Sequence, residues 1–405
     1  MEAQGKPSVK LTYFESFDGI RGVCCLMVLL LHYQFTKFNM PAIIAYVGLH
    51  SFFIMSSFLI TKTLLADINR TESMWQCFKI YCIKRFTRTF PLYYLYVLIV
   101  VVIGVILHLA FKNTFGIFTE LKHFGMMLLS FTYNFREIVQ FLTTGKYELY
   151  TILTPHLWSM AFEEQFYILF FFILFFTPLN ILKKIGWVII IVYPIFRLLS
   201  YNYMSTINDD QELITLIIAR NTIFQFDVFF YGIVLSLTTL KPSKIWIWLT
   251  YISGILLAIL MVYNAIINSD VFDVSFFKAI REDKYFYQNY AIVYIDLLVN
   301  AFCTFLFAAV SLYPEKFKIF NIKILKQFGI LTYSLYIFQF FFIFLGIALA
   351  AVVKRYINVY IADLIGLSFA LVTLYYFSLF VHKKFELPIL LWKNKFVKQF
   401  YPKRK

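Results

Sequence analysis

Acidic residues are scarce in this chain. Of its 405 residues only 22 are Asp or Glu, against 37 Lys or Arg, and charged residues of both signs make up 15%. An ordinary soluble domain carries roughly 25% charged residues, so a water-exposed globular surface is excluded for most of the chain. Cysteine is sparse as well. Cys24, Cys25, Cys77, Cys82 and Cys303 are an odd set, mostly in or beside apolar stretches and without metal-ligand spacing, which argues against a disulfide framework and against a metal centre. There is no soluble domain, internal repeat or low-complexity linker to divide the chain. No small-residue cleavage site follows the first apolar run behind Lys6 and Lys10, so that run is expected to be a retained span.

What fills the chain instead is apolar surface. Hydrophobic residues make up 61% and aromatics 21%, with 50 Phe and 29 Tyr, a composition suited to lipid-facing helices and interfacial belts. Runs long enough to cross a bilayer recur throughout. The expected fold is all-α, a single polytopic membrane bundle over residues 1–405, with spans near 17–35, 43–66, 90–111, 156–178, 186–200, 213–239, 245–267, 291–313, 329–353 and 358–381. Ten spans with the N-terminus inside put Lys79, Lys84, Arg85, Arg88 and the basic tail 382–405 on the cytoplasmic side, the side that Lys and Arg favour. The short apolar segment 121–136 then becomes an external re-entrant or interfacial helix. The net charge of +15 reads as membrane topology, and no nucleic-acid partner is expected.

The candidates for chemistry are the ionisable groups placed inside these runs, since each costs a few kcal/mol to insert, roughly 2.5 to 3.5 at a helix centre. The stretch HLWSMAFEEQFY opens the fourth span with His156 and carries Glu163 and Glu164. His156 and Glu163, seven residues apart, point the same way on a helix, with Ser159 and Tyr167 flanking Glu163 at one turn on either side. In the first span Arg21 and His32 are eleven residues apart, on one face and about 16 Å apart along the axis, with His32 in the outer half at a depth Glu163 can share. Ser56 and Ser57 interrupt the second span, where small residues also serve close helix packing. Lys84, Arg85 and Arg88 lie on two turns of a basic amphipathic stretch that Pro91 leads into the third span. Such a cluster suits anionic lipid or the phosphates of a cytoplasmic donor. Arg220 and Asp227, seven apart in the sixth span, share a face as an internal ion pair or a cavity lining. Tyr333, Tyr336 and Gln339 follow at three-residue steps in the ninth.

These pieces, in this order, resemble the acyltransferase-3 family of integral-membrane acyltransferases, which O-acylate cell-surface carbohydrates and some small molecules. The resemblance rests on FDGIRGVCCLMVLLLH, SFFIMSSFLIT, KRFTRTFPLYYLYVL, HLWSMAFEEQFYILF, FDVFFYG, and YSLYIFQ followed by FELP, and runs from about residue 14 to 392. It implies that Arg21 and His32 are an essential pair, that Glu163 is the intramembrane carboxylate, and that Arg85 and Arg88 face the donor. Three positions depart from the family pattern. Ser57 stands where Gly usually follows Ser56, Gln339 where a His usually follows the Tyr-Leu pattern, and Gln225 where an Arg is common before Asp227. No extra extracytoplasmic esterase-like domain of the kind some members carry is expected, so the membrane domain would complete the transfer itself or hand its acyl group to another protein.

The mechanism this implies uses acyl-CoA, acetyl-CoA foremost, as a donor substrate, with no tightly bound cofactor and no metal. Its phosphates would rest on Arg85 and Arg88, with Lys84 and Arg21 nearby. His32, oriented by Glu163, would act as base on an acceptor hydroxyl arriving from outside, or as a transient acyl carrier. Ser56, Trp158, Glu164, Tyr167, Arg220, Asp227, Tyr333 and Tyr336 are the candidates for lining the acceptor cavity. The acceptor would be a carbohydrate or lipid-linked glycan, and the setting a bacterial inner membrane. A transporter or flippase is the rival reading, since buried charges also line translocation paths.

Overall fold

The computed structural model describes residues 15–33, 41–111, 116–281 and 291–401. The expected N-terminal segment 1–16 and the end of the first span at 34–35 therefore lie almost wholly outside the described residues. Among the described residues every regular element is helical. Among the described residues, eight helices are long and apolar enough to cross a membrane, or up to nine if a bent pair counts as one span. The chain is a multi-pass membrane protein. The helix over the first expected span, α1 (Glu15–His32), carries Glu15, Asp18 and Arg21 in its first two turns and is not among the eight.

Close contact between backbones positions α1. It packs most extensively on the helix Lys323–Val353, and glycines make that possible. A Cβ on Gly22 would lie 2.0 Å from the Leu325 carbonyl oxygen, and one on Gly329 would lie 1.8 Å from that of Asp18. Small residues at such crossings let membrane helices approach where no hydrophobic effect drives them together. The next helix, α2 (Ala42–Ile68), lies along α1.

Two expected boundaries change. The basic stretch before Pro91 was read as an amphipathic segment leading into the third span, but α3 (Met74–Phe111) runs through Pro91 without interruption. Arg85, Arg88 and Thr89 therefore project from the same helix as the apolar wall above them. The sixth span is broken into α8 (Gln211–Arg220), α9 (Thr222–Gln225) and α10 (Asp227–Leu237), with a 63° bend. Asn221 causes the break by capping α9, its side-chain oxygen accepting from the Ile223 backbone N–H at 2.9 Å; a capping Asn competes well with helix continuation.

The segment 121–136 forms α4 (Ile117–Leu129), a 3-10 turn at Tyr133–Phe135 and the start of α5 (Arg136–Thr143). Their buried polar groups pair internally. Arg136 Nε donates to Glu120 Oε1 at 2.9 Å, and Tyr133 also donates to that carboxylate. Burial pushes the Glu120 carboxyl above its ordinary value against the pull of Arg136.

The remaining helices are α6 (Leu157–Phe176), α7 (Leu179–Ile207), α11 (Ile245–Val271), α12 (Phe276–Arg281), α13 (Ala291–Leu312), α14 (Lys323–Val353), α15 (Val359–Val381) and α16 (Leu387–Lys398). The expected tail 382–405 is helical as far as Lys398, and its residues 402–405 lie outside the described residues. A π-turn over His382–Glu386 joins α15 to α16, and α16 packs back on α3.

Candidate active site

Two cavities of about 330 Å³ each lie between α1, α2, α6 and α14. The first holds Arg21, Ser56, Arg85, Arg88, Thr89, Ser159, Glu163, Tyr167, Tyr333 and Tyr336; the second holds His32, Tyr46, Tyr147, His156, Trp158, Glu212 and Arg220. Leu49 and Tyr336 line both, so the cavities are neighbours on either side of these two side chains. We call the first inner and the second outer, from the charge-based topology above.

In the inner cavity the arginines differ in how they are paired. Arg21 Nη1 bonds Asp18 Oδ1 at 2.7 Å. Arg85 and Arg88 have no ion pair among the described residues, although the Arg85 guanidinium rests 5.2 Å from the centre of the Tyr167 ring, a contact that holds the cation without neutralising it. Lys84, expected beside them on the donor, is engaged elsewhere. Its ammonium bonds both Asp67 oxygens at 2.7 and 2.8 Å and the Tyr401 hydroxyl at 3.0 Å, and it does not line the cavity.

Glu163 stands on the inner wall with Ser159 and Tyr167 on either side, as the helical spacing predicted. Its carboxylate accepts from Ser56 Oγ. Glu164, expected to line the cavity, is turned away from it. It is buried at 1% exposure, with Oε1 unpartnered among the described residues, because adjacent residues on a helix point about 100° apart.

Glu163 does not orient His32. The Nδ1 atom of His32 lies 2.8 Å from Gln339 Oε1, and Gln339 Nε2 donates to the Tyr336 carbonyl at 2.9 Å. Because the amide nitrogen is spent on that carbonyl, the oxygen faces the imidazole, which donates from Nδ1 and keeps a lone pair on Nε2. Gln339, at the position where a family histidine was expected and set aside, thus selects the tautomer of His32. The physical reason for the correction is axial. Glu163 sits nearly two turns along α6 from His156, and it is His156 that shares the outer cavity with His32.

His156, the histidine of the HLWS motif, belongs to the site, although the sequence pattern marks only the face it shares with Glu163. His156 Nε2 donates to the Ile337 carbonyl at 3.1 Å, and both histidine rings pack on Phe340, at 5.0 Å for His156 and 4.8 Å for His32. Between the two cavities, Tyr336 Oη donates to the His156 carbonyl at 2.9 Å and lies 2.7 Å from Ser159 Oγ. Tyr333 donates to the Thr89 carbonyl, tying α14 to α3.

The expected Arg220–Asp227 pair does not form, since the bend at Asn221 separates the two halves of the span. Arg220 bonds Glu137 at 2.9 Å and sits 5.9 Å from the Trp158 ring centre, inside the outer cavity. Asp227 lies in a fully buried cluster and lines neither cavity. Its partner is Arg197, at 2.7 and 3.1 Å, which also approaches Asp296 at 3.6 Å. Gln225 donates to Asp296, so with Arg197 supplying the charge from α7, position 225 carries an amide. Nothing in the sixth span announces Arg197; only its isolated charge in an apolar run marks it.

Among the described residues no group of three or more His, Cys, Asp or Glu side chains is placed to hold a metal ion. The arrangement places two imidazoles in one cavity and, in the other, two guanidinium groups without an ion pair among the described residues, with Leu49 and Tyr336 between the two spaces.

Comparison with known proteins bears on what this site serves. The acyltransferase-3 profile, described as an acyltransferase domain, matches residues 14–382. A peptidoglycan O-acetyltransferase, OatA, of Listeria monocytogenes is 30% identical over 159 residues, 39% of this chain and 23% of that protein. A putative O-acetyltransferase of Staphylococcus aureus strain COL is 30% identical over 187 residues, 44% of this chain and 28% of its own. The O-acetyltransferase OatA of Staphylococcus aureus strain NCTC 8325 is 23% identical over 345 residues, 81% of this chain and 50% of the relative. The chain thus spans half the length or less of these curated relatives. No solved structure matches. With a profile match that covers nearly its whole length, the chain belongs to the acyltransferase-3 family of membrane acyltransferases.

Proposed function

We propose that this protein transfers an acyl group, acetyl foremost, from cytoplasmic acyl-CoA to a hydroxyl of an extracytoplasmic or lipid-linked carbohydrate in a bacterial inner membrane. The observation that carries this reading is the pair of cavities on either side of Leu49 and Tyr336. A polyanionic donor suits the inner one, where Arg85 and Arg88 have no ion pair among the described residues, and planar guanidinium groups bind phosphate in bidentate fashion. A neutral polyhydroxylated acceptor suits the outer one, with Tyr46, Tyr147 and Trp158 as apolar faces.

In the proposed reaction the thioester reaches Tyr336, between the two cavities. His32 Nε2 takes the proton of the acceptor hydroxyl as its oxygen attacks the thioester carbonyl. The C–S bond breaks, the new ester stays with the acceptor, and the proton returns to the departing thiolate to give free CoA. Gln339 keeps His32 in the tautomer that this needs. Base catalysis by a positioned histidine contributes about 10² to 10⁴-fold. Glu163, held by Ser56, lies on the donor side, where it orients the thioester arm or passes the proton to sulfur. The relatives named above are O-acetyltransferases, in agreement with this class.

The rival export reading gains one observation, the broken sixth span, since discontinuous helices frame transporter sites. A single bent pair is present among the described residues, whereas a transporter of that kind has matching breaks in two halves. The deciding experiment is transfer of acetyl label from acetyl-CoA to the carbohydrate fraction of membranes holding wild type, His32→Ala or Glu163→Gln at equal protein levels. Label in wild type and its loss in His32→Ala supports the transferase. Substrate that crosses unmodified in the wild type supports export.

A further inference from the structure

The helix α16 runs back along α3, and bonds at both ends fix the register of the two. At the start of α16, Ile389 and Leu390 share a narrow space with Thr87, Arg88 and Pro91. Beyond its end, Gln76 donates to the Phe400 carbonyl, while the Tyr401 hydroxyl donates to Asp67 Oδ1 at 2.6 Å and accepts from Lys84 Nζ at 3.0 Å. The helices are therefore antiparallel, and the α16 residue that falls opposite Lys84, Arg85 and Arg88 is Lys393. It lies on the packed face, one turn after Ile389 and one turn before the buried Val397.

A lysine is a poor partner for that face. The Lys393 ammonium is close enough to Arg88, Arg85 and Lys84, in that order, to be repelled by each. The carboxylates of this corner are committed elsewhere, Asp67 to Lys84 at 2.7 Å and Glu386 to His382 at 2.7 Å. Arg85, Arg88 and Lys393 are left without an ion pair among the described residues, and Lys393 keeps part of its surface open to solvent. Like charges held together on two packed helices cost stability, and an anion that bridges them removes that cost. Arg85 and Arg88 line the inner cavity, whereas Lys393 lines neither cavity. An anion that reaches past Arg88 toward the cytoplasmic tail is the one that meets Lys393.

We propose that Lys393 is a further donor-binding residue, which together with Arg88 takes the 3′-phosphate of the acyl donor. This rests on the acyl-CoA reading above and adds to it the contact that tells CoA from dephospho-CoA. The thioester arm occupies the inner cavity and the pyrophosphate lies on Arg85 and Arg88. The ribose phosphate, at the opposite end of the donor from the thioester, is the anion left on the cytoplasmic side, where a compact, mobile ammonium suits it. An anionic lipid headgroup offers the same phosphate chemistry, but Arg88, the cation that repels Lys393 most, belongs to the cavity wall, which favours the donor.

The test is equilibrium binding of labelled CoA to the full-length protein in phosphatidylcholine nanodiscs, with CoA and dephospho-CoA as competitors, repeated with phosphatidylglycerol included. In the wild type, dephospho-CoA binds about 10- to 100-fold more weakly than CoA, as expected for hydrogen bonds to a charged group. Lys393→Ala weakens CoA by about tenfold and leaves dephospho-CoA unchanged, so the discrimination narrows; the unchanged dephospho-CoA affinity also shows that the variant is folded. Lys393→Gln, which keeps the bulk of the side chain against α3, behaves as Lys393→Ala does, and Lys393→Arg keeps the preference for CoA. Equal weakening of CoA and dephospho-CoA would show that Lys393 acts through the fold or the general field and would overturn the proposal. CoA binding that neither variant alters would overturn it too while the donor reading stands, and a variant that changes only the response to phosphatidylglycerol would give the cluster to lipid. If the wild type binds no CoA in either nanodisc, the donor reading fails first and the phosphate site with it.

Discussion

The two cavities are alike in volume and opposite in electrostatic design. In the outer one the cation is neutralised on the spot, Arg220 by Glu137 at 2.9 Å, and the remaining polar groups are imidazoles, hydroxyls and the Glu212 carboxylate. In the inner one Arg85 and Arg88 stand without carboxylate partners among the described residues, although Asp67 is close enough on the same side to take up Lys84. Carboxylates thus pair closely with Lys84 and Arg21, whereas among the described residues none lies within ion-pair distance of Arg85 or Arg88. An unpaired guanidinium in a partly buried site is costly unless an anion from outside completes it. The difference is what the proposed function needs, an anionic donor at one end of the bundle and a neutral acceptor at the other.

Mutations at the two ends should therefore fail in different ways. The largest effect is expected for His32→Ala, a loss of about 10² to 10⁴-fold in kcat with little change in the KM for donor, measured by acetyl transfer under saturating acceptor. Arg88→Ala comes next. It should raise the donor KM by about 10- to 100-fold, the worth of hydrogen bonds to a charged group, and Arg88→Lys should recover only part because the bidentate fork is lost. A purely kcat effect for Arg88→Ala would break the comparison, since it would place that residue at the reacting atoms.

Gln339→Leu removes the acceptor for His32 Nδ1 and frees the other tautomer. About tenfold in kcat is expected, with donor KM unmoved. Equal activity of Gln339→Leu and wild type would remove Gln339 from the account. The smallest effect is expected for Lys84→Ala, less than about threefold in donor KM, because the ammonium is already committed to Asp67 and the pair is partly exposed. A loss as large as that of Arg88→Ala would return Lys84 to the donor site.

How far the sequence revealed this depended on what each feature rests on. Helical periodicity placed Ser159, Glu163 and Tyr167 on one cavity wall because they lie within two turns of a straight helix. The same arithmetic failed for Arg220 and Asp227, where Asn221 caps a new helix and turns the chain by 63°. Shared depth was not enough to pair His32 with Glu163; the partner came from α14, and its side chain, Gln339, offered no charge to attract notice. Arg197 reaches Asp227 from α7, a contact between spans that no local pattern encodes. The bundle itself was legible, since apolar runs must become helices in lipid. The π-turn at His382–Glu386 and the unbroken course of α3 through Pro91 depend on how α16 packs back on α3, which only the folded chain discloses.

The central claim of the proposed function is that donor and acceptor approach from opposite ends of the bundle, through two neighbouring cavities. It is tested most directly in sealed membrane vesicles of defined orientation, with acetyl-labelled acetyl-CoA supplied only on the outside and a carbohydrate acceptor enclosed in the lumen. The account predicts that inside-out vesicles, which present Arg85 and Arg88 to the donor, label the enclosed acceptor, that right-side-out vesicles do not, and that His32→Ala abolishes the signal. Labelling of an acceptor on the same side as the donor, with none in the lumen, would contradict it.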